Sequence, residues 1–416
     1  MRVLQICNKS PYPPKEGGPI AMNAITQALF YTGCDVKVIA ADTPKYPVNI
    51  EQIPEDYLSK TSYESCFIDT KIRMLPALKC FLTSKSYHIE RFTSEKFSNF
   101  LTKVLNSNKF DIIQFETIYM TKYLQLIKKL APEAIVVIRT HNVEHKIWER
   151  YACSTKNFIK KYYLNHLART LKKYEIEVLK NVDGIAAISP IDAKLLSNYT
   201  NTPIKVIPFN LNSEFLNTNP YVFEKRKKTL FFIGSMDWLP NMEGVKWFLN
   251  NVWNRIIKQH NNLHLEIAGR NMPEWIYKYN SDNIFIRGKV DDACQYMNSF
   301  QIMIVPLLSG SGIRIKIIEG MAAGNVIITT SIGAEGIECE HKKNILIADT
   351  PSEFVESVFW CLANPEAMKT ISSNARKFAV ENYSLTAVAK NLIDFYNELI
   401  SNKNNGYIVK NNYKNQ

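Results

Sequence analysis

Brief apolar runs punctuate the chain, and almost every one ends in small or polar residues before a longer stretch with apolar positions at helical spacing. In the first half the runs lie at residues 2–7, 35–40, 111–115, 134–138, 184–189 and 205–209. In the second half they lie at 229–233, 263–268, 283–287, 302–305, 326–330 and 345–348. Continuous apolar runs of this length suit strands buried on both faces of a parallel sheet. Helical periodicity occupies 19–31, 88–106, 119–130 and 156–180, then 242–257, 291–299, 313–323, 351–363, 365–380 and 385–401. Strand and helix in regular alternation predict the α/β class, with doubly wound sheets covered by helices. Pro19 suits the first position of a helix, so the first helix is expected to open there. Residues 43–85 have weak periodicity and are expected to be irregular.

The alternation breaks once, in the polar stretch 210–221, and then restarts. A chain of 416 residues also exceeds the size at which one core stops growing. Two domains follow, 1–210 and 211–384, with 385–401 a helix expected to pack back on the first domain and 402–416 a disordered polar tail.

Composition narrows the class. Hydrophobic residues make up 46% and charged residues 22%, a balance typical of soluble globular proteins. No apolar run approaches the length of a membrane-spanning helix, and residues 3–7 are too short for a secretory signal, so a cytoplasmic location is expected. Eight cysteines without pairing rhythm predict free thiols. No His and Cys cluster has metal-site spacing, so no metal is expected.

The net charge of +12 sits mostly in the first half: residues 1–210 carry 29 Lys and Arg against 19 Asp and Glu, and the remainder 22 against 20. A basic half suits a polyanionic partner. The signatures of nucleic-acid modules are missing, which favours peripheral contact with an anionic membrane, at its inner face, over nucleic acid; a plain solvated basic face is the other reading. The lysine-rich helix 156–180 could turn its basic side to such a membrane, or bury its apolar stripe under lysine stems.

Candidate chemistry concentrates in residues 306–324, PLLSGSGIRIKIIEGMAAG. A strand ends at a proline, passes through Ser309, Gly310, Ser311 and Gly312, and becomes helical from Ile313. Main-chain donors and the helix dipole at such a turn attract phosphate. Arg314 and Lys316 are unfavourable in a first helical turn unless an anion lies in front of them. Glu319, one turn on, is an acceptor suited to a pair of sugar hydroxyls. Strand-end Gly234 with Ser235, and Gly269 with Arg270, continue a rim where a backbone can approach a ligand. Gly17 and Gly18 form a comparable point in the first half. There, strand 134–138 delivers His141 to its carboxyl end, with Glu116 at the end of the neighbouring strand.

These residues carry a resemblance. PLLSGSGIRIKIIEGMAAG with NVIITTSIGAEGI closely resembles the donor-site region of glycosyltransferase family 4, retaining enzymes of the GT-B fold, where a Glu-x7-Glu motif runs into Ala-Met-Ala-Ala/Ser-Gly. Further matches are the proline-rich loop with Gly17-Gly18, Thr140-His141-Asn142-Val143-Glu144, and Tyr174-Glu175 ahead of Ala187-Ile188-Ser189. Ile233-Gly234-Ser235-Met236-Asp237-Trp238 with Pro240-Asn241 completes the set, in the family's order along nearly the whole chain.

The resemblance implies two Rossmann-like domains facing across a cleft, a nucleotide-diphosphate sugar as co-substrate, no cofactor and a glycan or lipid-linked acceptor. Glu319 would hold the ribose hydroxyls and His141 would stand near the reacting centre. The family's arginine and lysine after the first strand of the second domain have no match near Asn241. Arg314 and Lys316 would supply that charge instead, with Arg270, Ser235 and the amides of Ser311, Gly312 and Ile313. Gly17 and Gly18 would approach from the opposite side. Ser311 replaces the first motif glutamate, which leaves the donor sugar open. Alternatives are a catalytically silent sugar-nucleotide-binding or scaffolding subunit, and an inverting GT-B transferase or epimerase.

Overall fold

The Val-, Ile- and Leu-rich runs form two parallel sheets in a computed structural model that describes residues 1–14, 17–217, 223–310 and 312–414. The first sheet contains β1 (Arg2–Cys7), β2 (Asp35–Asp42), β3 (Glu64–Phe67), β4 (Ile112–Phe115), β5 (Ile135–Thr140), β6 (Gly184–Ala187) and β7 (Ile204–Val206). The second contains β8 (Lys227–Ile233), β9 (Leu265–Ala268), β10 (Ile284–Gly288), β11 (Phe300–Val305), β12 (Val326–Thr329) and β13 (Leu346–Ile347). Their orders are β3-β2-β1-β4-β5-β6-β7 and β10-β9-β8-β11-β12-β13. The pairings between these strands are parallel.

In each sheet the chain moves outward from a central strand and then returns to that strand's other side. The order therefore reverses between β1 and β4 in the first sheet and between β8 and β11 in the second. Ligands of doubly wound sheets bind at such reversals, beyond the strands' carboxyl ends.

The helices that matter below are α1 (Gly17–Tyr31), α2 (Glu144–Ser154), α3 (Phe158–Leu179), α4 (Leu239–Phe248), α5 (Ile315–Ala322) and α6 (Leu385–Lys414). The chain divides into one unit of Met1–Asn210 with Val388–Gln416 and another of Leu211–Ala387. Each has its own core, the first around Leu4, Ile113, Phe115 and Ile138, the second around Leu230, Phe232, Ile304 and Phe354. α6 joins the first core. Tyr396 donates its hydroxyl to Gln114 Oε1 at 2.5 Å, and Leu399 lies so close to Gly184 that a Cβ there would be 2.4 Å from its Cδ1.

Several boundaries differ from the sequence pattern. α1 opens at Gly17, so Pro19 lies inside its first turn, where a missing N–H still breaks no helical bond. Residues 43–85 hold a helix (Glu55–Thr61), the edge strand β3 and a second helix (Met74–Leu82). The stretch 88–106 divides into Tyr87–Glu90 and Glu95–Ser107, because Ser94 Oγ accepts from the Phe97 amide at 3.2 Å and starts a new helix. α2 and the helix Pro190–Ser197 were not expected. α6 continues to Lys414, past residue 402 where composition suggests disorder. Lys403 Nζ donates to the carbonyls of Pro132 at 2.9 Å and Ala134 at 3.0 Å, a long-range tie that local composition does not carry.

One close approach sets the rim of the second sheet. α4 passes so near the end of β11 that a Cβ on buried Gly244 would lie 2.2 Å from the Pro306 carbonyl oxygen. A backbone atom cannot rotate away. Gly244→Ala is therefore expected to lower stability by about 2–3 kcal/mol in urea denaturation, and an unchanged unfolding midpoint would refute this packing.

Candidate active site

The carboxyl ends of β8 and β11 are neighbours, and α4 and α5 rise from them. Lys316, in the first turn of α5, donates its ammonium to Asn241 Oδ1 at 2.7 Å and lies 4.5 Å from the centre of the Phe232 ring. Asn241 is buried on α4 and donates Nδ2 to the Ser235 carbonyl at 2.7 Å. One lysine thus ties α5 to α4 and, through the carboxamide, to the end of β8. The sequence shows no lysine near Asn241; the fold supplies one from 75 positions away. Approach is possible because Gly234 has no side chain, since a Cβ there would sit 2.4 Å from Lys316 Nζ.

Burial lowers the Lys316 ammonium from 10.5 to about 7, with Glu319 opposing and Arg314 adding to the effect. Burial likewise raises the Glu319 carboxyl from 4.5 to about 7, against the pull of Lys316. Both groups are poised to change charge near neutrality, a common property of functional sites.

Arg314 is buried and turned onto its own loop. Its guanidinium donates to the carbonyls of Gly312 and, at 3.3 Å, Ile332, and lies 5.9 Å from the centre of the Trp238 ring. Gly310 and Gly312 have φ of +124° and +79°, so the turn needs residues without a Cβ. Arg314 braces that turn. It stands at the N-cap of α5 without a side-chain cap bond, which leaves the helix start to main-chain donors. Ile313 and Gly312 are half-buried ahead of the helix. Ser311 lies outside the described residues.

Along the same rim, Ser235 donates its hydroxyl to Asp237 Oδ1 at 2.5 Å, and Asn271 donates to Oδ2 at 3.1 Å. The Ser235 bond, with Asn271 and the Arg270 charge, holds the Asp237 carboxyl below its usual range against partial desolvation. The Arg270 side chain is exposed, while its carbonyl accepts from the Met236 amide at 2.9 Å.

The first unit has its own polar cluster at its reversal point. Glu116 is fully buried at the end of β4 and accepts from Gln5 at 2.8 Å, Gln114 at 2.7 Å and Arg139 at 3.5 Å. Its Oε2 is 3.1 Å from His141 Nε2. The His141 bond, with the Arg139 charge and the Gln114 bond, outweighs desolvation and keeps Glu116 ionised, its carboxyl held below 4.5. Burial lowers the His141 imidazolium and outweighs the help from Glu116. Nε2 lies 3.1 Å from both Glu116 Oε2 and Arg139 Nη1, and in the tautomer that donates Nε2–H to Glu116 the ring keeps Nδ1 as its acceptor. Arg139 also donates to the Ala21 carbonyl at 3.1 Å, anchoring the first turns of α1 beside this cluster. Gly17 faces open space there, and a Cβ on Gly18 would meet Lys9 Cε at 2.9 Å.

The sequence pattern missed what orients α2. Glu175, buried on α3, accepts from the amides of Glu144 at 3.1 Å and His145 at 3.3 Å, and its Oε2 is 2.6 Å from His145 Nδ1. A carboxylate from another helix therefore caps α2, and this is why the segments around His141 and Tyr174 belong together. Among the described residues no three His, Cys, Asp or Glu side chains are placed to hold a metal ion.

Burial raises the Glu144 carboxyl from 4.5 to about 7, although Tyr119 donates its hydroxyl to Oε2 at 2.8 Å. A carboxyl raised on folding favours the native state below pH 4.5, and that advantage is lost as pH rises through about 7. Glu144→Gln keeps an acceptor for Tyr119 without the charge. It is expected to be about 1–2 kcal/mol more stable than the parent at pH 8 and no more stable at pH 4, by denaturation at both pH values.

Residues 227–364 match the family model Glycosyl transferases group 1. Over 394 residues, 92% of this chain and 96% of the relative, the sequence is 22% identical to an uncharacterized 44.6 kDa protein in the cps region of Klebsiella pneumoniae. Among solved structures, Anabaena Alr3699/HepE in complex with UDP superposes with a TM-score of 0.64 at 11% identity, covering 96% of this chain and 100% of that one. Sucrose-phosphate synthase of Thermosynechococcus elongatus gives 0.63 at 14% identity, covering 96% and 99%. The doubly wound parallel sheets are those of GT-B glycosyltransferases. Residues 227–364 thus match the group 1 glycosyl transferases, and the two doubly wound sheets have the GT-B fold.

Proposed function

We propose that this enzyme belongs to the retaining glycosyltransferase family 4 and moves a sugar from a nucleotide-diphosphate sugar to a glycan or lipid-linked acceptor in surface polysaccharide synthesis. The observation that carries the reading is the desolvated Lys316 ammonium at the start of α5, held on Asn241 with Glu319 one turn on. The location of the Klebsiella relative in a cps region and the UDP bound to the Anabaena protein support the acceptor class and the donor class respectively.

In this reading a diphosphate docks against the main-chain donors at the start of α5, near Ser311, Gly312 and Ile313, and its charge restores the proton on Lys316. Arg270 and the Ser235 hydroxyl extend the anion site, and Arg314 keeps the turn rigid through its carbonyl bonds. Glu319, ionised when Lys316 is charged, accepts the two ribose hydroxyls. As the C1–O bond breaks, negative charge builds on the leaving phosphate, and the preorganised cation and amides stabilise it. The acceptor oxygen bonds to C1 on the face the phosphate leaves, and the acceptor's proton passes to the phosphate oxygen. No protein nucleophile and no metal is needed. His141 Nδ1 accepts from a sugar hydroxyl, and Gly17 and Gly18 allow main-chain approach in the first unit. The reaction runs in the cytoplasm.

Lys316→Ala is expected to lower kcat by about 100- to 1,000-fold while changing the dissociation constant for UDP by less than about tenfold, since its charge matters most as the bond breaks. Unchanged turnover would overturn the assignment, and the anomer of the isolated product, read by NMR, tests retention. A further consequence is a pH dependence of binding. Above about pH 7 Glu319 is already ionised while Lys316 must take up a proton to become charged, so UDP affinity should fall as pH rises above about 7, by up to about tenfold before levelling off. Calorimetry at about pH 8 in two buffers of different ionisation enthalpy measures that uptake, and Lys316→Met abolishes it.

A further inference from the structure

The helix Met74–Leu82 has two unlike sides. Ala77, Cys80 and Phe81 turn inward: Cys80 is buried with Tyr87, Leu164 and Leu167, and the Phe81 ring lies 4.3 Å from the His166 ring and 6.2 Å from that of Tyr163. Packing of this helix against α3 is satisfied by that side. Met74, Leu75, Leu78 and Leu82 point the other way and are between 55% and 88% exposed. At the start of α3, Phe158, Ile159 and Tyr162 are between 67% and 79% exposed. The Phe81 and Tyr162 rings, 6.4 Å apart, join the two stripes into one apolar face.

Exposed apolar side chains scattered singly need no explanation, but a contiguous face of large ones does. Its charge says what covers it. Residues 71–85 contain four Lys and Arg, residues 156–173 contain six, and neither segment contains Asp or Glu. The nearest preceding carboxylate in sequence, Asp69, is paired with Arg73 at 2.5 Å. Beside Tyr162, Arg169 and Lys172 stands one carboxylate, Glu149, which is paired with Lys146 at 2.7 Å. Cations on flexible stems around an apolar face, outnumbering the carboxylates near it, match phosphate headgroups above an acyl boundary. Among the described residues no helix is long and apolar enough to cross a membrane, so the contact lies in the interface.

We propose that the first unit docks on an anionic bilayer through this face, with Leu75, Leu78, Leu82, Phe158 and Ile159 entering the headgroup boundary and the surrounding lysines meeting lipid phosphates. The proposal stands apart from the transfer chemistry, because none of these residues belongs to the candidate active site.

The full-length chain is tested for co-sedimentation with vesicles of phosphatidylcholine containing phosphatidylglycerol, and with vesicles of phosphatidylcholine alone. Binding is expected to be at least about tenfold stronger with phosphatidylglycerol and to weaken as salt is raised. Leu75→Asp/Leu82→Asp should reduce partitioning about tenfold or more while leaving UDP affinity unchanged, and Lys160→Glu/Lys161→Glu should remove the preference for phosphatidylglycerol. Equal binding of parent and Leu75→Asp/Leu82→Asp, indifference to lipid charge, or a dimer in solution that the same aspartates dissociate would overturn the proposal.

Discussion

The second unit is built around a half-buried lysine that no carboxylate among the described residues hydrogen-bonds. Lys316 meets a carboxamide, the Asn241 side chain, in a place where its charged form is poorly solvated. A stability-optimised protein would put an apolar residue there, and natural sites commonly give up stability in this way where chemistry needs a poised charge. Neighbouring features follow from that placement. Gly234 leaves room for the ammonium, Gly244 lets α4 bring Asn241 close, and Arg314 fixes the turn from which α5 begins.

The first unit handles its buried charge differently. Glu116 keeps its ionised form because glutamine, arginine and histidine donors surround it. Each donor is in turn anchored: Gln5 also donates to the Met22 carbonyl, Gln114 accepts from Tyr396, and Arg139 donates to Ala21. Arg139 Nε finds no partner among the described residues, but the other ties stiffen the network, and that stiffness fixes the orientation of the His141 ring. The two units thus use the same sheet geometry for opposite ends, one to hold a group near its titration point and one to lock a group away from it.

How much of this could be read from the sequence depends on the range of the interaction involved. Strands buried on both faces are continuous apolar runs, so the alternation that specifies two doubly wound sheets is visible locally. The turn before α5 is visible for the same reason, since its glycines, cations and Glu319 are adjacent in the chain. The Lys316 partner is not visible, because Asn241 lies 75 positions away. Glu175 as the cap of α2, 30 positions from His145, is hidden likewise. Residues 43–85 misled for another reason: much of their apolar surface faces outward, so the helix Met74–Leu82 leaves no stripe matched to a core. The break at Ser94 is set by local capping, to which periodicity is blind.

The return of α6 to the first unit has a consequence for how the protein is made. Gln114 and Gly184 receive their partners Tyr396 and Leu399 only after the whole of Leu211–Ala387 has been synthesised. Leu211–Ala387, by contrast, is contiguous and can close its sheet while the last helix is still being translated. Vectorial synthesis ordinarily lets the amino-terminal part of a chain finish first. Here that order is inverted, and the amino-terminal sheet must wait, incompletely covered, for the returning helix to arrive.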